Sequence, residues 1–366
     1  MIFICEKQKL LEGISIVQKA ITGKTTMPIL EGIYINASNS NITLIGSDID
    51  VSIETKVDAD ILEEGKVVID AKIFGEIIRK LPNSDIKIET LENDTIQITC
   101  EKSVFNLGYM KADEFPELPQ LNQDMKIEVP QNILKNMIKS TTFAIAQDET
   151  RPILQGVLFE VKDKSLNLIA LDGYRLALKK EYLDSDIDIE VVIPGKTLNE
   201  VSKILEDVDQ NVQITFTNNH ILFNLDKTKI ISRLLEGKFV NYRSLLPQEH
   251  KISITVKKQE LQNGIERASL MAKDGNNNLI KLDIEDEVII LSSNSQLGKV
   301  REEVNINLQG DKIQIAFNSR YLLDVLKSLD DEEVILEMTS SVTPCIIKGK
   351  MADNYRYLVL PVRVVR

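Results

Sequence analysis

The chain has 366 residues, 43% of them hydrophobic and 27% charged, a balance that supplies packed cores and excludes a disordered polypeptide. At about 100 to 200 residues per domain it should hold two or three domains. A net charge of -12 excludes a uniformly basic nucleic-acid binder, so any contact with phosphate requires the cations to be gathered on one surface.

The opening run Met1 to Cys5 is too short for a secretory signal, and no stretch approaches the roughly 18 to 20 apolar residues of a membrane span. The expectation is a cytoplasmic protein with no membrane partner. Cys5, Cys100 and Cys345 lie far apart in strand-like runs, which suggests buried free thiols rather than a disulfide framework or a metal site.

In chain order, Ile2-Phe3-Ile4-Cys5 reads as a strand that runs into a helix over 7–20, with Leu10, Leu11, Ile14, Val17 and Ile21 on one face. A hairpin follows with its turn within Asn36 to Asn41, then a strand and helix start at Ile69-Asp70-Ala71-Lys72-Ile73-Phe74, with the helix over 72–80. Leu81 to Met110 supply later hairpins, and Phe115-Pro116-Glu117-Leu118-Pro119 reads as a connector.

The same order then returns. Ile127-Glu128-Val129 leads into a helix over 131–142, a hairpin turns at Lys162 to Ser165, and Ile193-Pro194-Gly195-Lys196 opens a helix over 196–205. Hairpins within Gln210 to Leu234 and the connector Leu245-Leu246-Pro247 close the second copy. The third copy has Ile254-Thr255-Val256 before a helix over 258–273, a turn at Glu285 to Glu287, and Phe317-Asn318-Ser319-Arg320 before a helix over 320–328. Leu10, Leu134 and Leu261 lie 124 and 127 positions apart, and Lys72, Lys196 and Arg320 lie 124 and 124 apart. Three homologous domains are expected at 1–124, 125–250 and 251–366, each with an inner duplication. Units of this length can bury their own cores, which argues against a solenoid.

All six predicted helices carry more Lys and Arg than Asp and Glu, so the strands and loops are more acidic than the whole chain. Helices gathered on one side of curved sheets would form a basic lining and an acidic exterior. Such a lining would hold a duplex by its phosphates, without sequence information.

Residues suited to chemistry are few. His220 follows a turn and His250 follows the Pro247 connector, so both are expected as exposed loop residues. Gly23-Lys24-Thr25-Thr26 imitates the end of a phosphate-binding loop, but Gln18 stands where the first glycine belongs and a helix precedes it. Asp48, Asp50 and Glu54 alternate with Ile49, Val51 and Ile53, which predicts one solvated strand face rather than a metal site. Asp274-Gly275-Asn276-Asn277-Asn278 lacks the later acid of a calcium loop and reads as a turn. No catalytic residue, metal ligand or cofactor is expected, and the chain does not read as an enzyme.

Three stretches carry a resemblance. Thr150-Arg151-Pro152-Ile153-Leu154-Gln155-Gly156, Leu171-Asp172-Gly173-Tyr174-Arg175-Leu176-Ala177 and Tyr357-Leu358-Val359-Leu360-Pro361-Val362-Arg363 resemble the middle and last domains of bacterial sliding clamps, the beta subunits of the replicative DNA polymerase. Met27-Pro28-Ile29-Leu30 and the Phe115 to Pro119 connector extend the likeness to the first domain. The resemblance implies an α+β DNA clamp fold of three similar domains, each with two helices packed on antiparallel sheets. Two subunits would form a closed ring around double-stranded DNA.

It further implies a homodimer contact through Phe105 and Leu107 on one subunit and Leu270 and Met271 on the other. Clients bearing short peptides, among them the polymerase catalytic subunit and the clamp loader, would dock between the second and third domains. That pocket would comprise Leu154, Leu171, Gly173, Tyr174, Arg175, Leu176, Pro247, Ile252, Val342, Leu358, Leu360, Pro361, Val362 and Arg363. In it Gly173 would permit close backbone approach, while Arg175 and Arg363 would hydrogen-bond the peptide. DNA contacts would fall on Lys24, Lys72, Arg79, Gln147, Arg151 and Lys196, with Lys135, Lys139 and Lys203 as further cations. Pro152 and Ile153 replace aromatic residues common in the family, Tyr174 replaces a frequent histidine, and Val364, Val365 and Arg366 extend the usual ending. Two other readings stand beside it: a repeat-built protein-binding scaffold that does not encircle DNA, and an enzyme with its site between domains.

Overall fold

The computed structural model describes residues 1–23, 25–119, 125–148, 150–272, 278–296, 298–351 and 354–363. Lys24, most of the expected turn at 274–278 and the extension Val364 to Arg366 lie outside the described residues.

The first repeat runs β1 (Ile2–Glu6), α1 (Lys7–Val17), β2 (Gly32–Ser38), β3 (Asn41–Ser47), β4 (Val51–Asp58), β5 (Asp60–Glu63), β6 (Gly65–Asp70), α2 (Ala71–Lys80), β7 (Asp85–Leu91), β8 (Thr95–Cys100) and β9 (Ser103–Gly108). The middle repeat runs β10 (Met125–Pro130), α3 (Gln131–Lys139), β11 (Gly156–Lys162), β12 (Ser165–Leu171), β13 (Arg175–Tyr182), β14 (Ile189–Pro194), α4 (Gly195–Ile204), β15 (Asn211–Phe216), β16 (His220–Leu225) and β17 (Thr228–Arg233). The last runs β18 (Ile252–Lys257), α5 (Lys258–Ala272), β19 (Leu279–Ile284), β20 (Val288–Ser295), β21 (Gly298–Gln309), β22 (Ile313–Asn318), α6 (Ser319–Ser328), β23 (Glu333–Met338), β24 (Cys345–Gly349) and β25 (Tyr355–Val359). Lys72, Lys196 and Arg320 each occupy the second position of the later helix of their repeat.

The helices are placed by local chemistry as well as by pattern. The Asp70 carboxylate accepts the Ile73 N–H at 2.8 Å at the start of α2, and the Asn318 side chain accepts the Arg320 N–H at 3.0 Å at the start of α6. Such caps are worth about 1 kcal/mol each. On α1, Leu10, Ile14 and Val17 are fully buried, each contributing about 1.5–3 kcal/mol of transfer free energy. Gly13 lets this helix settle closely, since a Cβ there would stand 2.5 Å from Val57 Cγ2. Gly264 does the same in α5, where a Cβ would lie 2.9 Å from Leu291.

Two compact units result, Met1–Lys135 with Glu200–Leu234, and Asn136–Asn199 with Leu235–Arg366. In the first unit an eight-stranded sheet runs β10-β15-β16-β17-β4-β3-β2-β6, and a five-stranded one runs β5-β1-β7-β8-β9. In the second, one twelve-stranded sheet runs β14-β11-β12-β13-β25-β24-β23-β18-β21-β20-β19-β22. The unit boundaries cut through the middle repeat because its strands are shared out by two antiparallel seams. β17 pairs β4 with Ile230 opposite Ile53, and β13 pairs β25 with Leu176 opposite Leu358. Backbone pairing thus crosses from repeat to repeat.

Two edges remain. β9 closes one side of the five-stranded sheet, and residues 298–305 of β21 pair only β20, β21 joining β18 from Ile306 onward.

Some expectations change. Asp48 to Asp50 form a turn before β4, in which the Asp48 carboxylate accepts the Val51 N–H at 2.9 Å. Ile49 takes a φ of 81° there and is exposed, so the alternation expected from residue 48 begins only at Val51. His220 is not an exposed loop residue but the half-buried first residue of β16, opposite Arg233. Burial, aided by that cation, holds its pKa below the ordinary imidazole value. His250 is exposed, 3.6 Å from Glu337. All three cysteines are buried and free, and burial pushes the Cys5 and Cys345 thiols up to about 11 and about 12. Among the described residues no helix is long and apolar enough to cross a membrane.

Candidate functional site

Strands β11 to β14 of the second unit turn one face toward an apolar cluster. Because side chains two residues apart share a strand face, Ile169 and Leu171 on β12 reach it together, beside Leu158 of β11 and Leu176 of β13. Leu154 enters from the short turn before β11, Leu358 from β25 across the seam, and Phe239 and Tyr242 from the connector after β17. Leu246 and Leu360 pack against it while remaining partly exposed. Of the sequence-predicted pocket, the structure therefore joins Leu154, Leu171, Leu176, Leu358 and Leu360.

The turn between β12 and β13 borders this cluster. Asp172 organises it, its Oδ1 accepting the backbone N–H groups of Tyr174 and Arg175 at 2.9 and 3.0 Å. Gly173 holds a φ of +92°, a conformation that a side chain would strain. A Cβ there would meet nothing within 4 Å, so within the chain the tight turn, rather than close contact, demands the glycine.

Arg175 is tied into the chain around it. Its Nε donates to Asp172 Oδ2 at 3.0 Å, one terminal nitrogen to Asp324 Oδ2 at 2.5 Å, and the other to the Phe143 carbonyl at 2.6 Å. The guanidinium also lies 4.5 Å from the Tyr321 ring centre. Each of its nitrogens thus has a partner within the chain, and the residue is 9% exposed. Tyr321 in turn lies against exposed Tyr174, ring centres 6.3 Å apart. Sequence reasoning missed Tyr321, although its place on the exposed face of a short amphipathic helix was a usable signal.

A second hollow of about 420 Å³ is lined by Val342, Val362 and Arg363 with Lys281, Gln314 and Ala316 among others. The segment after β25 ties it to the cluster. Leu360 N–H donates to the Tyr174 carbonyl at 2.9 Å, and Val362 N–H to the Ala316 carbonyl at 2.8 Å. Pro361 lies half-buried between them. Pro247 is exposed one residue beyond Leu246, and Ile252 is buried in β18 opposite Met338, so neither joins the cluster or the hollow.

Among the predicted DNA contacts, Lys72 and Arg79 are exposed on α2, Lys196 on α4, and Gln147 and Arg151 flank the turn before β11. Lys139 is also exposed, whereas Lys135 pairs with Asp207 and Lys203 with Glu200, each at 2.7 Å. The expected dimer residues sit at the open edges: Phe105 is 39% exposed and Leu107 half-buried on β9, and Leu270 is 59% exposed near the end of α5 with Met271 half-buried beside it.

Two helices and paired antiparallel sheets in each of three repeats define the class of DNA clamps. Models of the DNA polymerase III beta subunit match the chain in three successive pieces, the N-terminal domain over 1–119, the central domain over 128–241 and the C-terminal domain over 243–363. The beta sliding clamp of Staphylococcus epidermidis is 38% identical over 99% of both chains, and that of Staphylococcus aureus 40% identical over 94% of both. The solved DNA polymerase sliding clamp of Bacillus subtilis superposes with a TM-score of 0.97 at 39% identity, with complete coverage of both chains. A Pseudomonas aeruginosa clamp bound to griselimycin superposes with a TM-score of 0.95 at 26% identity, again with complete coverage. The chain belongs to the DNA polymerase III beta subunit family, the bacterial DNA sliding clamps.

Proposed function

We propose that two copies of the chain close head to tail around duplex DNA and tether replication proteins to it. The observation that carries this reading is the pattern of sheet edges. In the first two repeats the third strand of the early hairpins, β4 or β13, is sealed by the last strand of the following repeat, β17 or β25. The corresponding strand of the last repeat is β21, and the last strand of the first repeat is β9. Pairing β21 of one copy with β9 of another repeats the same seam and, done twice, closes the assembly without a free edge at either junction. Phe105, Leu107, Leu270 and Met271 supply its apolar contact. On this reading the clamp domains span 1–124, 125–250 and 251–366, and the protein works in the cytoplasm.

Duplex DNA is held by cations of the helices and neighbouring turns, Lys24, Lys72, Arg79, Arg151 and Lys196, with Gln147 beside them. Contacts to phosphate alone carry no sequence information, which is what sliding requires. The apolar cluster and the adjoining hollow take short peptides of the polymerase catalytic subunit, the clamp loader and other clients. Leucine walls bury the peptide's hydrophobic anchors, and exposed Arg363 meets its polar groups. A Pseudomonas aeruginosa clamp binds griselimycin, and on this reading the compound would seat in the cluster and hollow here and so report on them.

The decisive experiment loads the protein onto nicked circular DNA with its clamp loader and follows retention by gel filtration before and after linearisation. Retention on the circle and loss on cutting are expected, with weaker retention when Lys72, Arg79 and Lys196 are changed to glutamate. Equal retention on both forms, or on neither, would favour the scaffold reading instead.

A further inference from the structure

The face of β11 and β12 that carries Leu158, Ile169 and Leu171 into the apolar cluster continues one step further as Glu160 and Asn167. The apolar wall ends there in a buried carboxylate. Glu160 is 3% exposed, and its Oε2 accepts hydrogen bonds from Asn167 Nδ2 at 3.1 Å, the Tyr242 hydroxyl at 2.9 Å and the Arg243 guanidinium at 2.7 Å. A charge so placed is costly unless it is paired and hydrogen-bonded, and here Oε2 has a cation and two further donors.

Tyr242 spans the border. It belongs to the apolar cluster while its hydroxyl meets Glu160, and the Arg243 guanidinium stacks 4.7 Å from its ring centre. Burial first, and the Glu160 hydrogen bond second, push the hydroxyl's pKa upward, so the group stays protonated and donates. Tyr242 also opens the short turn Tyr242–Leu245, after which Leu246 packs on the cluster. Before this segment the connector is tied to the sheet where Leu235 N–H donates to the Val192 carbonyl at 2.9 Å. After it the next tie is the Thr339 hydroxyl on the Glu249 carbonyl at 3.2 Å. Between those two points, among the described residues, the polar side-chain ties from connector to sheet converge on Glu160.

We propose that Glu160 is a positioning residue of the client site: by latching Tyr242 and Arg243 it fixes the height of the connector over the sheet, and with it the wall made by Leu246. The inference rests on reading the cluster and hollow as the client site. Glu160 touches no client itself and acts through the segment it holds.

The test is a double-mutant cycle on the full-length protein, with griselimycin affinity measured by calorimetry. Glu160→Gln keeps the side-chain volume and Tyr242→Phe keeps the ring. Each is expected to weaken binding about fivefold, the equivalent of one lost hydrogen bond, and the double variant to bind no worse than the weaker single. Arg243→Gln, at a half-exposed position that cannot empty the core, is expected to weaken binding about twofold. Affinities unchanged in all three single variants, or additive losses in the double, overturn the inference. Should the wild type fail to bind, or bind equally well after Val342→Lys at the exposed rim of the hollow, the client-site reading fails and this inference with it.

Discussion

β13 and β9 each border a place where one repeat can be joined to the next, yet the structure treats them differently. Arg175, Leu176 and Ala177 at the start of β13 are buried because β25 pairs along it, while Val104, Phe105 and Asn106 in the middle of β9 are exposed. Composition does not explain the contrast, since Val104, Phe105 and Leu107 are as suited to a covered strand as Leu176 and Leu178. Position in the repeat does: β13 meets the last strand of the following repeat, whereas β9 is the last strand of the first of the three repeats, with no earlier one among them to seal, and on the proposed reading β21 of another copy takes that place. An exposed apolar edge strand is an invitation to pair, and a repeat with unmatched ends specifies which strand should accept it.

Breaking the sealed side should have the larger effect on folding. Leu358→Ala removes a side chain that is 5% exposed and lies opposite Leu176, at an expected cost of about 2–5 kcal/mol in denaturant unfolding. A cost below about 1 kcal/mol would mean that the seam collapses onto the gap and contributes little. On the open side, Phe105→Asp should leave the unfolding free energy of the single chain almost unchanged but weaken self-association by at least about thirtyfold, the scale of an interface hot spot. Sedimentation would then show the mass falling from twice 41.3 kDa toward 41.3 kDa at micromolar concentration. If Phe105→Asp instead unfolds the chain and leaves the dimer intact, the contrast between the two strands is wrong.

The smallest expected effect concerns the other sealed seam, where β17 joins β4. His220 lies beside it, and its pKa in the folded protein is below the ordinary value of about 6.5. Between the two values the unfolded chain binds more protons than the folded one, so stability is full above about 6.5 and declines as the pH falls through that range. His220→Gln should flatten this part of the stability profile measured between pH 7.5 and about 5.5. A slope that survives the substitution would assign the dependence to another group.

The threefold architecture was legible because each repeat writes its landmarks in local patterns: a strand running into Leu10, Leu134 or Leu261, and a helix opening at Lys72, Lys196 or Arg320. The seams were not. Pairing between Ile53 and Ile230, or Leu176 and Leu358, joins residues nearly two hundred positions apart, and nothing in either strand's own alternation names its partner. Within the candidate site the leucines came with the family resemblance, but the polar supports did not. Glu160, flanked by Phe159 and Val161, reads as a solvent-facing residue of an alternating strand, and only the fold brings Tyr242 and Arg243 over it. The ties that hold Arg175 to Asp324 of α6 and to the Phe143 carbonyl join residues remote in sequence and could not be read from it. Ile49 misled for a local reason, since an aspartate-organised turn places an apolar side chain outward.

The three buried cysteines make the surface chemically silent toward thiol reagents, because each sulfur is both covered and shifted away from its reactive thiolate form. A single cysteine introduced at an exposed site can therefore accept a maleimide dye in the otherwise native sequence. One dye near Gly108 and another beside Gly298 would turn the opening and closing of the proposed subunit junction into a fluorescence trace.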